Sequence, residues 1–326
     1  MNNQIQISST APGWIPDYVV ESSPDLVNWE PIATNGYPFQ PLLLTADATG
    51  AAQYFRVRRG AIPILRWALA VKDNIYANGT SALTDSYNSS DPNQSTDGQY
   101  DPTKAGSNGC VASVEGVVNI GNHVIYGDLY LGPSATFASN ANLVSGNIYY
   151  DAWVNLPDVV LPNTVWWPAP APVSGVHDFT AANTYLMNTY RLDDSLPIKV
   201  EPGVQVVLEV VATNFAPASI SILGGSTNPG TLMIYQLTGS ATLAPLSNGI
   251  RPTNFWYFGL PNVTNLTLSS STPLVGVFYA PEAPVTMNSA GGLISLSGTL
   301  VAKSLAINGH YIFHFDKSLM TAGPVQ

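Results

Sequence analysis

The apolar positions of this chain recur with period two in short runs, and turn formers break the runs at close intervals. Val124–Leu131, Val204–Val211, Thr231–Leu237 and Val275–Ala280 read as short alternating runs, the pattern of strands. Between them stand Asn78-Gly79, Asn108-Gly109, Gly121-Asn122, Gly146-Asn147, Gly224-Gly225, Asn248-Gly249 and Asn308-Gly309, pairs that favour tight turns. Helical periodicity is best at Thr180–Arg191 (TAANTYLMNTYR), the main helix candidate. The pattern also repeats. Gly276–Asn288 (GVFYAPEAPVTMN) aligns with Gly298–Asn308 (GTLVAKSLAIN) at an offset of about 20–22 residues, the length of one coil of a parallel β-solenoid. Such a coil buries its apolar face only against neighbours stacked above and below. These runs predict an all-β chain: a right-handed parallel β-helix over residues 61–326. Ala61–Val71 would be its first strand or cap, and Gly309–Leu319 its C-terminal cap.

Residues 1–60 read as a separate small β module. Ile5 and Ile7 alternate with polar residues, Tyr18–Glu21 is strand-like, Ser22–Trp29 is a turn leading to an aromatic, and Tyr54–Arg58 alternates strongly. The pattern YVVESSPDLVNWEPIATN followed by QYFRVRR resembles a fibronectin-type-III-like or sandwich-like module appended to many secreted bacterial proteins. The segment has room for about four or five strands, against the roughly seven of a full sandwich. Two outcomes follow. The module accepts a strand from another subunit, with Ile5, Ile7, Tyr54, Phe55 and Val57 as candidate assembly residues, or it packs its open side on the adjacent β-helix.

Composition narrows the function classes. Charged residues are only 10% of the 326 positions, against about 25% in soluble chains, and Ser, Thr, Asn, Gly and Pro take their place. A net charge of −10 argues against nucleic-acid partners, whose phosphates need clustered Lys and Arg. Four of the eleven basic residues fall in Arg56–Arg66 and read as a solvated strand edge. No run of eighteen apolar residues is present, so no membrane span is expected. The opening MNNQIQISSTAPGW does not read as a signal peptide. The polar, charge-poor surface still points to an extracellular, cell-surface location. Cys110 is the lone cysteine and reads as a small buried hydrophobe.

Candidate chemistry is sparse. Asp91, Asn93, Asp97 and Asp101 lie in the oxygen-rich stretch SSDPNQSTDGQYD, a candidate Ca²⁺ loop, although Asx side chains also cap turns without metal. No other cofactor is expected. His310 and His314 share a strand face about 13 Å apart, too far to chelate one ion; His314 and Asp316 read as end-capping residues. Asp193 and Asp194 would point to opposite faces of a strand and so form no dyad. Trp153, Trp166 and Trp167 sit in a proline-rich segment that reads as a loop crossing the core, with a protein interface or sugar stacking as the functional readings. The chain carries no G-x-x-x-x-G-K-[ST], H-E-x-x-H or G-x-S-x-G motif.

Asp85–Ser113, with its D-P-x-x-S-T-x-G-x-Y-D-P run, and Val118–Phe137 are similar to a family of exported bacterial β-helix proteins. The match extends to the closing residues Tyr279, Ala280, Pro281, Lys303, Ser304, Asn308, Gly309, Phe313, His314 and Asp316. The resemblance implies a β-helix, surface attachment and no enzymatic activity. The expectation is a structural subunit of a bacterial surface filament, its partner another copy of itself. The alternatives are an adhesin for surface glycans and, third, a carbohydrate-active β-helix enzyme such as a polysaccharide lyase or hydrolase.

Overall fold

A computed structural model describes residues 4–8, 18–34, 43–47, 54–59, 63–77, 82–181, 188–243 and 250–322. The chain divides into two compact units, Met1–Ile64 with Gly323–Gln326, and Leu65–Ala322.

The first unit holds five short antiparallel strands. Gln4–Ser8 pairs with Leu43–Asp47, and Tyr18–Ser23 lies between Glu30–Thr34 and Tyr54–Arg59. Val20 is fully buried, and its neighbour Glu21 is buried by pairing with Arg56, whose guanidinium also lies over the Trp29 ring.

The second unit is a parallel β-solenoid, and all its named strand pairs are parallel. Inward residues form columns. The longest passes through Trp167, Tyr190, Leu208, Ile234, Tyr257, Phe278, Leu300, Leu69, Val111, Leu129 and Ile148. A second runs through Ala241, Leu266, Val285, Leu305, Ile75 and Val118. A third joins Leu274, Leu296, Phe313, Thr84 and Ile125. Each fully buried aliphatic or aromatic in such a column contributes about 1.5–3 kcal/mol of transfer free energy.

The order of those columns differs from the order of the chain. The coil that begins at Leu69 does not open the stack. It lies in the interior, between the last coil (Leu300, Leu305, Phe313) and the coil of Val111. Read along the stack, residues 167–316 come first and residues 69–149 follow, so the solenoid has the topology of a circular permutant. The two ends of the unit meet at a seam in its middle. Gly309–Leu319 is therefore not a cap, a correction to the sequence expectation. Strand Leu305–Asp316 is paired on both edges, to Val285–Ala302 on one side and to Ile75–Ala77 and Ala82–Tyr87 on the other. Ala61–Val71 likewise is no cap; its strand Leu69–Val71 is paired on both sides.

One segment must link the two outer ends. The stack between strands Ile148–Tyr149 and Trp167–Pro168 is roughly ten steps of about 4.8 Å, or about 48 Å. The roughly eighteen residues available reach about 60 Å when extended but only about 27 Å as a helix. The segment is accordingly an extended strap, and Pro157 and Pro162 suit it because proline holds the backbone extended. Its Ala152, Leu156 and Val159 are buried. Tyr279 Oη donates to Pro157 O at 2.7 Å, Lys72 pairs with both strap residue Asp158 (2.9 Å) and Glu282, and Arg66 donates to Trp153 O. The outward positions Ala70, Ala112, Val301 and Tyr279 are therefore buried as completely as the inward ones.

The helix expected at Thr180–Arg191 is not formed over its described part: Thr189–Leu192 is a strand with Tyr190 and Leu192 inside and Arg191 outside, and residues 182–187 lie outside the described residues. Cys110 is buried and its Sγ accepts from the Asp128 amide at 3.4 Å.

Candidate ligand site at the proline-rich end

The strap returns to the stack at strand Trp167–Pro168, the outermost strand of the long sheet. Pro168, Pro170 and Pro172 then hold the chain away from the next strand, His177–Phe179, and leave a cavity of about 450 Å³. Trp166, the proline run, His177, Arg191, Asp193 and Asp194 line it.

Each polar wall residue has a local cause. His177 is an inward position of its strand, 4% exposed, and has an acceptor at each ring nitrogen: Pro170 O at 2.9 Å from Nδ1, and Asp194 at 3.0–3.1 Å from Nε2. The Asp194 side chain stays 38% exposed, so one carboxylate fixes the imidazole and also faces the cavity. Arg191 points outward and its Nε donates to the buried Glu209 at 2.5 Å. That carboxylate holds the Arg191 guanidinium even further above the ordinary arginine range. Asp193 and Asp194 lie beyond strand Thr189–Leu192, so the opposite faces expected of strand neighbours do not apply: both line the cavity, Asp193 exposed and Asp194 turned to His177. An indole, a cation and two carboxylates around an open cavity can stack on a ring and hydrogen-bond hydroxyl groups.

The other sequence candidates lie elsewhere. Trp153 is half-buried in the strap beside Arg66, and Trp167 is 44% exposed on the terminal strand; only Trp166 of the three lines the cavity. Asp91 accepts from the Asn93 amide and Gln94 Nε2, and Asp101 accepts from the Thr103 amide and hydroxyl and from Thr96 Oγ1. Asp97 sits in a tight turn at φ 53°. These carboxylates serve separate turns, and no group of three His, Cys, Asp or Glu is arranged to hold a metal ion among the described residues. His310 is exposed, whereas His314 is buried against Asp85 at the seam. Of the assembly candidates, the backbones of Ile5 and Ile7 pair with Ala46 and Leu44. Tyr54 is exposed, Phe55 half-buried, and Val57 lies opposite Val20. His177 and Arg191 were not marked in the sequence; a single His in an apolar run looks like any core residue until its carbonyl and carboxylate neighbours are placed.

Fold and cavity together define a parallel β-solenoid protein with an open polar site at one end. Residues 198–322, less than half of the chain, match the family described as a domain of unknown function (DUF7305). No curated protein and no solved structure matches the chain. No described helix is long and apolar enough to cross a membrane.

Proposed function

We propose that the chain is a structural subunit of an extracellular bacterial surface assembly, joined to further copies by β-strand addition at its N-terminal unit. The observation that carries this reading is the strand count. Among the described strands, Gln4–Ser8 and Leu43–Asp47 pair only with each other, and Glu30–Thr34 and Tyr54–Arg59 each pair on one side only. Four outer edges in so small a unit are templates for a further strand. The solenoid ends are poor alternatives. Pro168, Pro170 and Pro172 lack the N–H donors an added strand needs at every second position, and Ile148–Tyr149 is only two residues long. Because Ile5 and Ile7 are already paired on one edge, the addition uses the other edge of Gln4–Ser8 and propagates heterologously as a fibre. Negative-stain microscopy of the full chain beside a chain lacking residues 1–10 tests this. Fibres are expected from the first and monodisperse particles from the second; monodisperse full-length protein, or fibres from the truncated one, would sink it.

A second reading is favoured by the Trp166 cavity: recognition of a surface glycan, with the indole stacking on a sugar ring and Asp193, Asp194 and Arg191 meeting its hydroxyls. A glycan array comparing the protein with Trp166→Ala separates the two readings.

A further inference from the structure

A second pocket is built where the loop after the seam folds back over the other half of the solenoid. The loop leaves strand Ala82–Tyr87 and carries Ser89, Ser90, Pro92, Ser95, Asp97 and Gly98 to Arg251 and Ser226, where together they line an open pocket of about 330 Å³. That is the small end of ligand cavities, which run from about 300 to 1,000 Å³.

The loop is held before any ligand arrives. Lys104 Nζ donates to Pro92 O and Ser95 O at 2.9 and 2.7 Å, Ser95 Oγ donates to Asp91 O, and Gln99 Nε2 donates to Ile250 O. Asp97 and Gly98 both have positive φ (53° and 76°) between Thr96 and Gln99, whose amides and carbonyls bond reciprocally. This is the Asp-Gly turn of a two-residue hairpin. Its glycine lies against the Arg251 guanidinium: a Cβ there would come under 3.0 Å from Nε, Cζ and Nη2.

Arg251 is the unusual member. Its Nε is buried without a hydrogen-bond partner, and no carboxylate pairs with its guanidinium among the described residues. The contrast lies in the rest of the group: Arg66, whose Nε is also buried without a hydrogen bond, donates from Nη2 to Trp153 O, and Arg191 donates from Nε to Glu209. A buried donor atom without an acceptor is costly, and the pocket that Arg251 lines has room for an acceptor at its guanidinium.

We propose that this pocket binds a small hydroxylated ligand carrying a carboxylate, of the size of one uronic acid residue. Arg251 takes the carboxylate, for which its planar fork is suited. The exposed Ser90 and Ser226 hydroxyls and the exposed Asp97 carboxylate take the ring hydroxyls. The site is separate from the Trp166 cavity and does not rest on the assembly proposed above.

Isothermal titration of the full chain with glucuronate tests the assignment, with glucose as the neutral control. Saturable binding of glucuronate is expected, absent for glucose and weakened by added salt. Arg251→Gln should weaken it by at least about ten-fold, and Arg251→Lys, which keeps the charge but not the fork, by less. Ser226→Asp places a like charge on the exposed rim without touching the core and should also weaken it by at least about ten-fold. Trp166→Ala should leave it unchanged. Thermal unfolding monitored by circular dichroism confirms that each variant is folded. The assignment is overturned if the wild-type protein shows no saturable glucuronate binding, if glucose binds equally, or if folded Ser226→Asp and Arg251→Gln bind as the wild type does. Loss on Trp166→Ala alone would place the ligand in the other cavity and overturn it as well.

Discussion

The seam between the first and last coils can be tested through one side-chain cluster. His314 Nδ1 lies 2.6 Å from Asp85 Oδ1, and Tyr100 Oη donates to Asp85 Oδ2 at 2.6 Å. The Tyr100 ring stacks on the His314 ring with centroids 3.5 Å apart. Burial and then the Asp85 carboxylate raise the Tyr100 phenol above its ordinary range, so it stays a donor at neutral pH. Asp85 and His314 are 7% and 4% exposed and 229 residues apart in the chain. They can interact only if the permuted stacking is right. Each hydrogen bond to a charged group contributes about 1.5–3 kcal/mol. Asp85→Ala removes two and should cost about 3–6 kcal/mol. His314→Ala removes one, plus a ring contact worth about 0.5–1.5 kcal/mol, and should cost about 2–4.5 kcal/mol. The double variant should fall short of the sum by about 1.5–3 kcal/mol, the one bond both singles remove. Urea unfolding followed by far-ultraviolet circular dichroism measures all four corners. A coupling below about 0.5 kcal/mol would mean that the two residues do not meet and that the last coil is not seated on the first.

Gly298 lies directly over Gly276 one coil away, at φ 135°, and a Cβ on it would overlap the Gly276 carbonyl oxygen. Gly298→Ala should lower stability by at least about 3 kcal/mol, from backbone strain of about 1–3 kcal/mol plus the clash; a urea midpoint close to wild type would refute the close stacking of these coils. Tyr279→Phe removes the hydroxyl that holds Pro157 of the strap and should cost about 0.5–1.5 kcal/mol. Hydrogen exchange should show faster exchange at Ala152, whose amide donates to Leu131 O, without change in the columns beneath; unchanged strap protection would show that the strap is held by its apolar contacts alone.

Some of this was legible in the chain. The strand at Val275–Ala280 is formed where the sequence places it, although Leu274–Ala280 is buried at every position, because the strap covers the outward Tyr279 as the core covers the inward Phe278. The repeat Gly276–Asn288 with Gly298–Asn308 is seen directly as paired registers Gly276↔Gly298 and, on the next face of the same two coils, Asn288↔Asn308. The proline-rich tryptophan stretch was legible as an irregular linking segment, but it runs along the outward face over Tyr279 and Lys72 rather than across the core. Other readings needed the fold. Asp91 and Asp101 look like metal ligands in a string of oxygen-bearing residues, and only the placed amides of Asn93 and Thr103 show them closing turns. Tyr190 read as helical because Thr180–Arg191 has the best helical periodicity of the chain, yet the column between Trp167 and Leu208 requires a strand there.

By itself the sequence determined the fold class, a charge-poor parallel β-solenoid preceded by a small strand-rich unit, because periodicity and turn chemistry are local properties. Only the tertiary structure decided the order in which the coils stack. Every coil offers the same apolar columns and the same parallel edges, so nothing local numbers them. What numbers them is long-range: the strap of about the right extended length, and the buried pairs such as Asp85 with His314 that set the last coil on the first. That order turned a supposed cap into an interior strand and brought the loop of Gly98 against Arg251.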